Sequence, residues 1–156
     1  MSSTNVLQWE CKHFEKLTAT ELHSILALRC NVFIIEQNCP YLDPDKKDLH
    51  SHHVMGWRGN DLVAVARIVE PGISYEEVSV GRVATSSIAR GTGAGKMLMT
   101  KTMEYISEIF GKVPVRISAQ SYLIKYYEGF GFVRTENEEY LEDDIPHVEM
   151  VCNSKI

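Results

Sequence analysis

The stretch from Glu77 to Ala119 constrains the fold more than any other part of the chain. Glu77 to Thr85 alternates in the manner of a strand, and Arg90-Gly91-Thr92-Gly93-Ala94-Gly95 is a glycine-rich turn. A long helix runs from there to about Phe110, with Met99, Met103, Ile106 and Phe110 at the i, i+4, i+7, i+11 spacing of a buried stripe. Val113 to Ala119 reads as the next strand. A strand, a tight turn, a helix and a strand in that order predict a right-handed crossover between parallel neighbours.

Elements on either side fit the same α/β order. A first strand near Leu7–Phe14 precedes Thr18-x-x-Glu21, the form of a helix capping box. The helix after it carries Leu22, Ile25, Leu26 and Arg29 on one side and runs into Val32-Phe33. Asn38 to His53 reads as a long polar loop with two prolines. Strands follow at His53–Arg58 and Leu62–Val69, split by Gly59-Asn60-Asp61, and Glu70-Pro71-Gly72 turns the chain again. A helix at Tyr122–Phe130 and a hairpin around Val133–Val151 complete the order. No repeat or Pro/Gly/Ser-rich linker divides the sequence, so residues 1–156 read as one domain.

Charge and cysteine usage exclude several classes of function. A net charge of -5 leaves no basic excess for general nucleic-acid binding. Met1 to Gln8 lacks the positive flank and apolar run of a signal peptide, and no stretch is long and apolar enough for a membrane span. Cys11, Cys30, Cys39 and Cys152 form no C-x-x-C pair, so reduced thiols in a cytoplasm are the plain expectation. The His50-x-His52-His53 group has no companion acids in order and reads as solvent-exposed, with no metal expected. Met97, Met99 and Met103 read as core packing.

The glycine turn carries the chemistry. A helix N-terminus presents unpaired N–H groups and a partial positive charge, and so attracts phosphate. Glycines at 91, 93 and 95 clear side chains from the backbone, and Arg90 and Lys96 add flanking charge. It is not a P-loop, because Lys96 is followed by Met97 where serine or threonine is needed. Nor is it a dinucleotide fingerprint, since the run is Gly-x-Gly-x-Gly and sits mid-chain.

Arg90-x-x-Gly93-x-Gly95 between a strand and a long helix resembles the coenzyme A signature of the GNAT N-acetyltransferases. Tyr126-Tyr127-Glu128-Gly129-Phe130-Gly131-Phe132 is similar to that family's aromatic helix ending in Gly-Phe. Arg29-Cys30-x-Val32-Phe33-x-x-Glu36-Gln37-x-Cys39-Pro40-Tyr41, Gly81-Arg82-Val83, Ala119-Gln120 and Glu142-Asp143-Asp144-Ile145-Pro146-His147 resemble the ElaA-like branch. One departure stands out: the branch usually has glycine at the place of Asp144. The resemblance implies a mixed α+β fold with a central twisted sheet of about six or seven strands, splayed at the CoA-binding strands and flanked by about four helices.

It also implies a reaction, attack of a neutral amine on the thioester of acetyl-CoA, with no metal required. Pantetheine would pair with Val83, Ala84 and Thr85, and the Val83 N–H would face the thioester oxygen. Such a donor contributes ~2.7–4 kcal/mol to a transition state. Pyrophosphate would lie on Arg90, Gly91, Thr92, Gly93, Ala94, Gly95 and Lys96. Tyr127 corresponds to the family's acid toward the CoA sulfur, with Tyr126 packing in the core. Proton transfer from a tyrosine of pKa ~10 to a thiolate of pKa ~8.5 is uphill by about 2 kcal/mol, so a strengthening hydrogen bond is the safer description.

An alkyl amine of pKa ~10.4 costs about 4.6 kcal/mol to deprotonate at pH 7, which calls for a proton acceptor. Glu36, Glu70, His53 and His147 are the candidates, and each also reads as a solvated or structural group. Cys39 has no paired histidine signature, so direct transfer in a ternary complex is favoured over a covalent route. Acids at 136, 138, 139 and 142–144 would suit a cationic small-molecule or peptide amine, or are simply a solvated face. A CoA-binding sensor without turnover is the alternative function, and a homodimer is expected by family habit alone.

Overall fold

The computed structural model describes residues 6–153; residues 1–5, part of the segment read for a signal peptide, and 154–156 lie outside it. Eight strands make one sheet in the order β1-β2-β3-β4-β5-β8-β6, with β7 also on β8. They are β1 Gln8–His13, β2 Ser51–Arg58, β3 Asp61–Val69, β4 Val78–Thr85, β5 Val115–Gln120, β6 Val133–Arg134, β7 Tyr140–Glu142 and β8 Ile145–Cys152. Three α-helices accompany them: α1 Ala19–Arg29, α2 Ala94–Phe110 and α3 Ile124–Glu128. All neighbours are antiparallel except β4 and β5, the pair joined by the expected crossover through α2.

Two strands more than the lower expected number come from the C-terminal segment, where short β6 and β7 each add a few residues to β8. Three α-helices stand against the about four expected, and two of them differ in form from the expectation. After Arg29 the first helix widens into a π-helical stretch, Cys30–Glu36. The expected Tyr122–Phe130 helix is a 3-10 turn, Ser121–Leu123, followed by the short α3. Gly131, at φ 94°, then turns the chain sharply. The 38–53 loop also closes earlier than expected, in a 3-10 turn at Lys46–His50 capped by Asp45, so that β2 starts at Ser51.

Alternating strand residues divide the core between two faces. Val54, Ala64, Ala66, Ile68, Val78, Val80, Val115, Ile117, Val148 and Met150 pack with Leu98, Met99 and Ile106 of α2. Met55, Val65 and Ala84 point the other way, onto Ile25, Leu28 and Val32 of the first helix. The α2 stripe is the expected one, with Met103 and Phe110 at its half-buried margin. Thr102 also sits inside, its hydroxyl donating to the Leu98 carbonyl at 2.7 Å. The first helix starts on the capping box read from sequence: Thr18 and Glu21 each bind the other's backbone N–H. It covers only the β2–β4 part of its face, so the same face of β5 and β8 carries polar residues without a helix over them.

Candidate active site

β4 and β5 pair only at Val78–Val115 and Ser79–Arg116, and the register goes no further. On its other edge β4 holds one extra residue, because Val65 pairs with Ala84 while Arg67 pairs with Gly81. This bulge places Arg82 at φ 51°, a left-handed conformation worth on the order of 1–3 kcal/mol of strain for a side chain. β4 therefore turns away from β5 and leaves strand backbone without a sheet partner on that side. A cleft of about 1070 Å³ occupies the gap. Its lining draws on both faces of the sheet: Val80, Val83, Ile117 and Tyr127 from the α2 side, and Arg67, Ser79, Ser118 and His147 from the other. The gap is thus bordered by residues from both faces of the sheet.

Val83, Ala84, Thr85, Arg90 and Glu36 border the cleft, with Val83 and Tyr127 on the α2 side. The Tyr127 ring meets Tyr126 and Phe132 edge-on, at 5.1 and 6.0 Å between centroids. Its hydroxyl makes no hydrogen bond with any described residue. Burial, helped by the neighbouring Tyr126 and Tyr122 hydroxyls, raises its pKa, so the phenol keeps its proton well into alkaline solution. Gly91 and Gly93 stand at φ 78° and 84°, which accounts for glycine at both positions, and a side chain there would meet only open space. α2 begins directly after Gly93 without a side-chain cap, so its first N–H groups are left for a ligand. Gly91, Thr92, Gly93 and Lys96 are exposed beside the cleft mouth, outside its walls.

Tyr126 does more than pack. Its hydroxyl donates to the Gly95 carbonyl at 3.0 Å, tying α3 to the glycine turn. Arg90 is already engaged: its guanidinium reaches Glu36 at 2.5 Å and the Thr85 carbonyl at 2.8 Å. That pair sits at the mouth and joins the π-helical stretch to the turn.

The opposite face offers two unlike walls. One is a set of buried ion pairs around Arg29, which is 1% exposed. Arg29 binds Asp43 at 2.8 Å and Asp48 at 2.9 Å, and Arg67 binds Asp45 at 2.6 Å and Asp48 at 2.9 Å. Arg82, the strained bulge residue, lies 2.9 Å from Asp43 and donates to the Asp43 carbonyl at 2.9 Å, with Tyr41 beneath its guanidinium. Burial opposes ionisation of Asp48, but the hydrogen bonds and charges of Arg29 and Arg67 outweigh it and hold the carboxyl below its ordinary range. The loop from Tyr41 to Asp48 is thereby clamped onto the bulge that aims Val83.

The second wall is built of hydroxyls and an imidazole. Ser118 and Tyr140 share a short hydrogen bond, and Ser118 also donates to Glu142 at 3.4 Å. The Tyr140 ring stacks on His147 at 6.1 Å between centroids. His147 Nδ1 lies 2.7 Å from the Ile145 carbonyl, which can only accept, so Nδ1 carries the proton. The β7–β8 hairpin turns on Asp143 and Asp144, both left-handed at φ 51° and 63°, the geometry of a two-residue type I′ turn. The Asp144 departure is thus accommodated: aspartate takes the backbone conformation that glycine would take more freely.

His53 is the sequence candidate that the fold removes from the cleft. It is 2% exposed, its Nε2–H donates to the Asp48 carbonyl at 3.0 Å, and its ring faces Phe14. Alternation along β2 turns it inward, which a strand beginning at His53 does not reveal. Glu70 also lies outside the cleft lining, 3.6 Å from His13. Of the His50-x-His52-His53 group, only His52 joins, among the described residues, a set able to hold an ion, with His13 and Glu70, their ligand atoms within 4.8 Å of one another. His13 Nδ1 accepts the Glu15 N–H at 3.2 Å, which leaves its proton on Nε2 facing Glu70. His13 and Glu70 face one another at 3.6 Å, and the His13 and His52 rings meet edge-on at 4.9 Å between centroids. The Arg29 network escaped the sequence reading, yet an arginine on an apolar helical stripe signals a buried charge that needs partners, and Asp43, Asp45 and Asp48 are the aspartates nearest to it in the sequence.

Comparison with known proteins agrees with this geometry. Residues 41–154 match the acetyltransferase (GNAT) domain family. Protein ElaA of Escherichia coli is 41% identical over 147 residues, covering 93% of this chain and 95% of that protein. The crystal structure of that ElaA superposes with a TM-score of 0.87 at 39% identity, over 95% of this chain and all of that one. An acyl-CoA N-acyltransferase from Pseudomonas aeruginosa superposes with a TM-score of 0.89 at 44% identity, over 94% of this chain and 99% of that one. Sequence, fold and relatives agree that the chain belongs to the GNAT acetyltransferase family, in the branch represented by ElaA.

Proposed function

We propose that the chain moves the acetyl group of acetyl-CoA to an amine of a small molecule or peptide, by direct attack in a ternary complex. The observation that carries this reading is the passage where β4 leaves β5 after Ser79, lined from the α2 side by Val83 and Tyr127 and open to the other face. Pantetheine amides complete the unpaired edge of β4 at Val83, Ala84 and Thr85 as a short added strand. The pyrophosphate lies on the N–H groups from Gly91 to Lys96, with Arg90 released from Glu36 to meet it. The thioester oxygen takes the Val83 N–H, and Tyr127 donates to the departing sulfur. Cys39 borders the same cleft, but its thiol has no imidazole partner among the described residues, which leaves direct transfer as the simpler route.

The test follows free thiol while purified protein, acetyl-CoA and a panel of spermidine, lysine methyl ester, a lysine-bearing peptide and free amino acids react. Release of thiol that depends on an amine is the expected result. Tyr127→Phe should lower kcat by about 10²-fold while the Kd for CoA stays near normal. Full activity in that variant removes the tyrosine from the mechanism. Tight CoA binding without thiol release from any amine would replace the enzyme with a CoA sensor.

A further inference from the structure

Among the base candidates, one histidine is both inside the passage and fixed in orientation by a backbone bond through Nδ1. His147 is 6% exposed and lines the cleft on the face opposite α2. Its partner across β5 is Gln120, and the alternating neighbours Ala119 and Val148 belong to the α2 core, so the imidazole stands on the side left for the acceptor. The bond from Nδ1–H to the Ile145 carbonyl fixes the tautomer, and Nε2 is left with its lone pair. Glu142 Oε2 lies 3.5 Å from Nε2, too far for a strong hydrogen bond but close enough to stabilise a positive ring. Glu36 borders the donor mouth and is bound by Arg90, while His53 and Glu70 lie outside the cleft lining.

We infer that His147 is the proton acceptor of the acetyl transfer, with Glu142 as the group that steadies its charged form; this rests on the acetyl-transfer reading above. The acceptor binds as an amine against Nε2. Its nitrogen attacks the thioester carbon, a C–N bond forms, and the carbonyl pair moves to oxygen. The nitrogen gives one proton to His147 Nε2. The carbonyl re-forms and the C–S bond breaks, with the Tyr127 hydroxyl donating a hydrogen bond that strengthens as the sulfur gains charge, and the thiolate takes its proton from solvent. Products are the amide and free CoA, and the His147 proton passes to solvent.

The groups that set this titration are close at hand. Glu142 and Tyr140 face the ring from β7, and Asp143 follows in the turn. From β5 the paired residue is the neutral Gln120, and Arg116 further along is already bound by Glu77 and Glu149. β6 pairs at the far end of β8, opposite Met150 and Val151.

The experiment measures kcat and kcat/KM against pH with acetyl-CoA and the most active amine of the panel, alongside Kd for CoA. His147→Gln should lower kcat by about 10²-fold, remove the acidic limb of the profile and leave CoA affinity unchanged. An equal rate with the acidic limb intact would overturn the assignment. If that variant fails to fold, Glu142→Gln decides on an exposed side chain. Loss of its negative charge lowers the affinity of the imidazole for a proton, so the limb should move to lower pH by about 0.5 unit. A limb that stays in place overturns the proposal. A wild-type chain that binds CoA yet releases no thiol with any amine overturns the acetyl-transfer reading as well, whereas normal turnover in both variants removes His147 alone.

Discussion

The two walls of the cleft on the face opposite α2 are made of opposite materials. Arg29, Arg67 and Arg82 meet Asp43, Asp45 and Asp48 in equal numbers, and every guanidinium is committed to a carboxylate. Across the gap, Ser118 and Tyr140 share a hydrogen bond, and His147 is held through Nδ1 by the Ile145 carbonyl with Glu142 3.5 Å from Nε2. A set of mutually paired, largely buried charges is expensive to disturb, so it suits the wall that keeps the Arg82 bulge in its left-handed conformation. The other wall holds no such set of paired guanidinium groups, and on the reading proposed above it is the part that gains and loses a proton while the first holds geometry. Arg29→Ala breaks the first wall most directly, because it strands Asp43, 0% exposed, and Asp48 next to each other. The expected cost is about 3–5 kcal/mol in urea unfolding, or loss of the folded state. A loss below about 1 kcal/mol would mean that the charges are not the clamp.

Acid sharpens the same contrast, since it reaches the rigid wall in two stages. Burial, only partly offset by its bond to the Asp48 carbonyl, holds the His53 pKa below its ordinary value. The unfolded chain therefore takes up that proton first, and stability falls as pH drops below about 6.5. Asp45 and Asp48 are held below the usual carboxylate range, against their burial, by Arg67 and Arg29. Their contribution is complete above about pH 4 and is lost as pH falls through the depressed values. Urea midpoints should show a decline of about 1–2 kcal/mol between pH 7 and pH 5, then a steeper one below pH 4. His53→Gln should reduce the first decline, with His52, also held low by burial, supplying the remainder. A curve without slope between pH 7 and pH 5 would show that His53 is not the neutral buried group described here.

What could be read before the structure follows the range of each interaction. The strand, glycine turn and α2 are local patterns, and the α2 stripe, the capping box and the turn glycines at positive φ all stand where the spacing put them. Cleft-lining Val83, Thr85, Arg90, Glu36 and Tyr127 were also named in advance, because short motifs carry them. The residues that make the acceptor walls were harder, since Arg29 and Asp48 are 19 positions apart and Ser118 and Tyr140 are 22 apart. Pairing over such distances is decided by sheet order, which no short window contains. His53 shows the same limit in another form: a one-residue change of face on β2 separates a cleft group from a buried one. Tyr126 was read as packing alone because its hydroxyl partner, the Gly95 carbonyl, leaves no mark in a side-chain pattern.

The second wall should respond far more gently, and its hairpin is the place to measure that. Asp143 and Asp144 both sit in the left-handed region, where a side chain is disfavoured and glycine is not. Asp144→Gly would produce the Asp-Gly pair preferred in a type I′ turn while leaving Glu142 opposite Ile145. Relief of the backbone strain is partly offset by the greater freedom of glycine in the unfolded chain, so the gain should be about 0.5 kcal/mol. Urea unfolding at pH 7 reads it as a small upward shift of the midpoint with an unchanged slope. A loss of stability instead would mean that the Asp144 side chain makes a contact which the turn depends on. The second wall would then be held as firmly as the first.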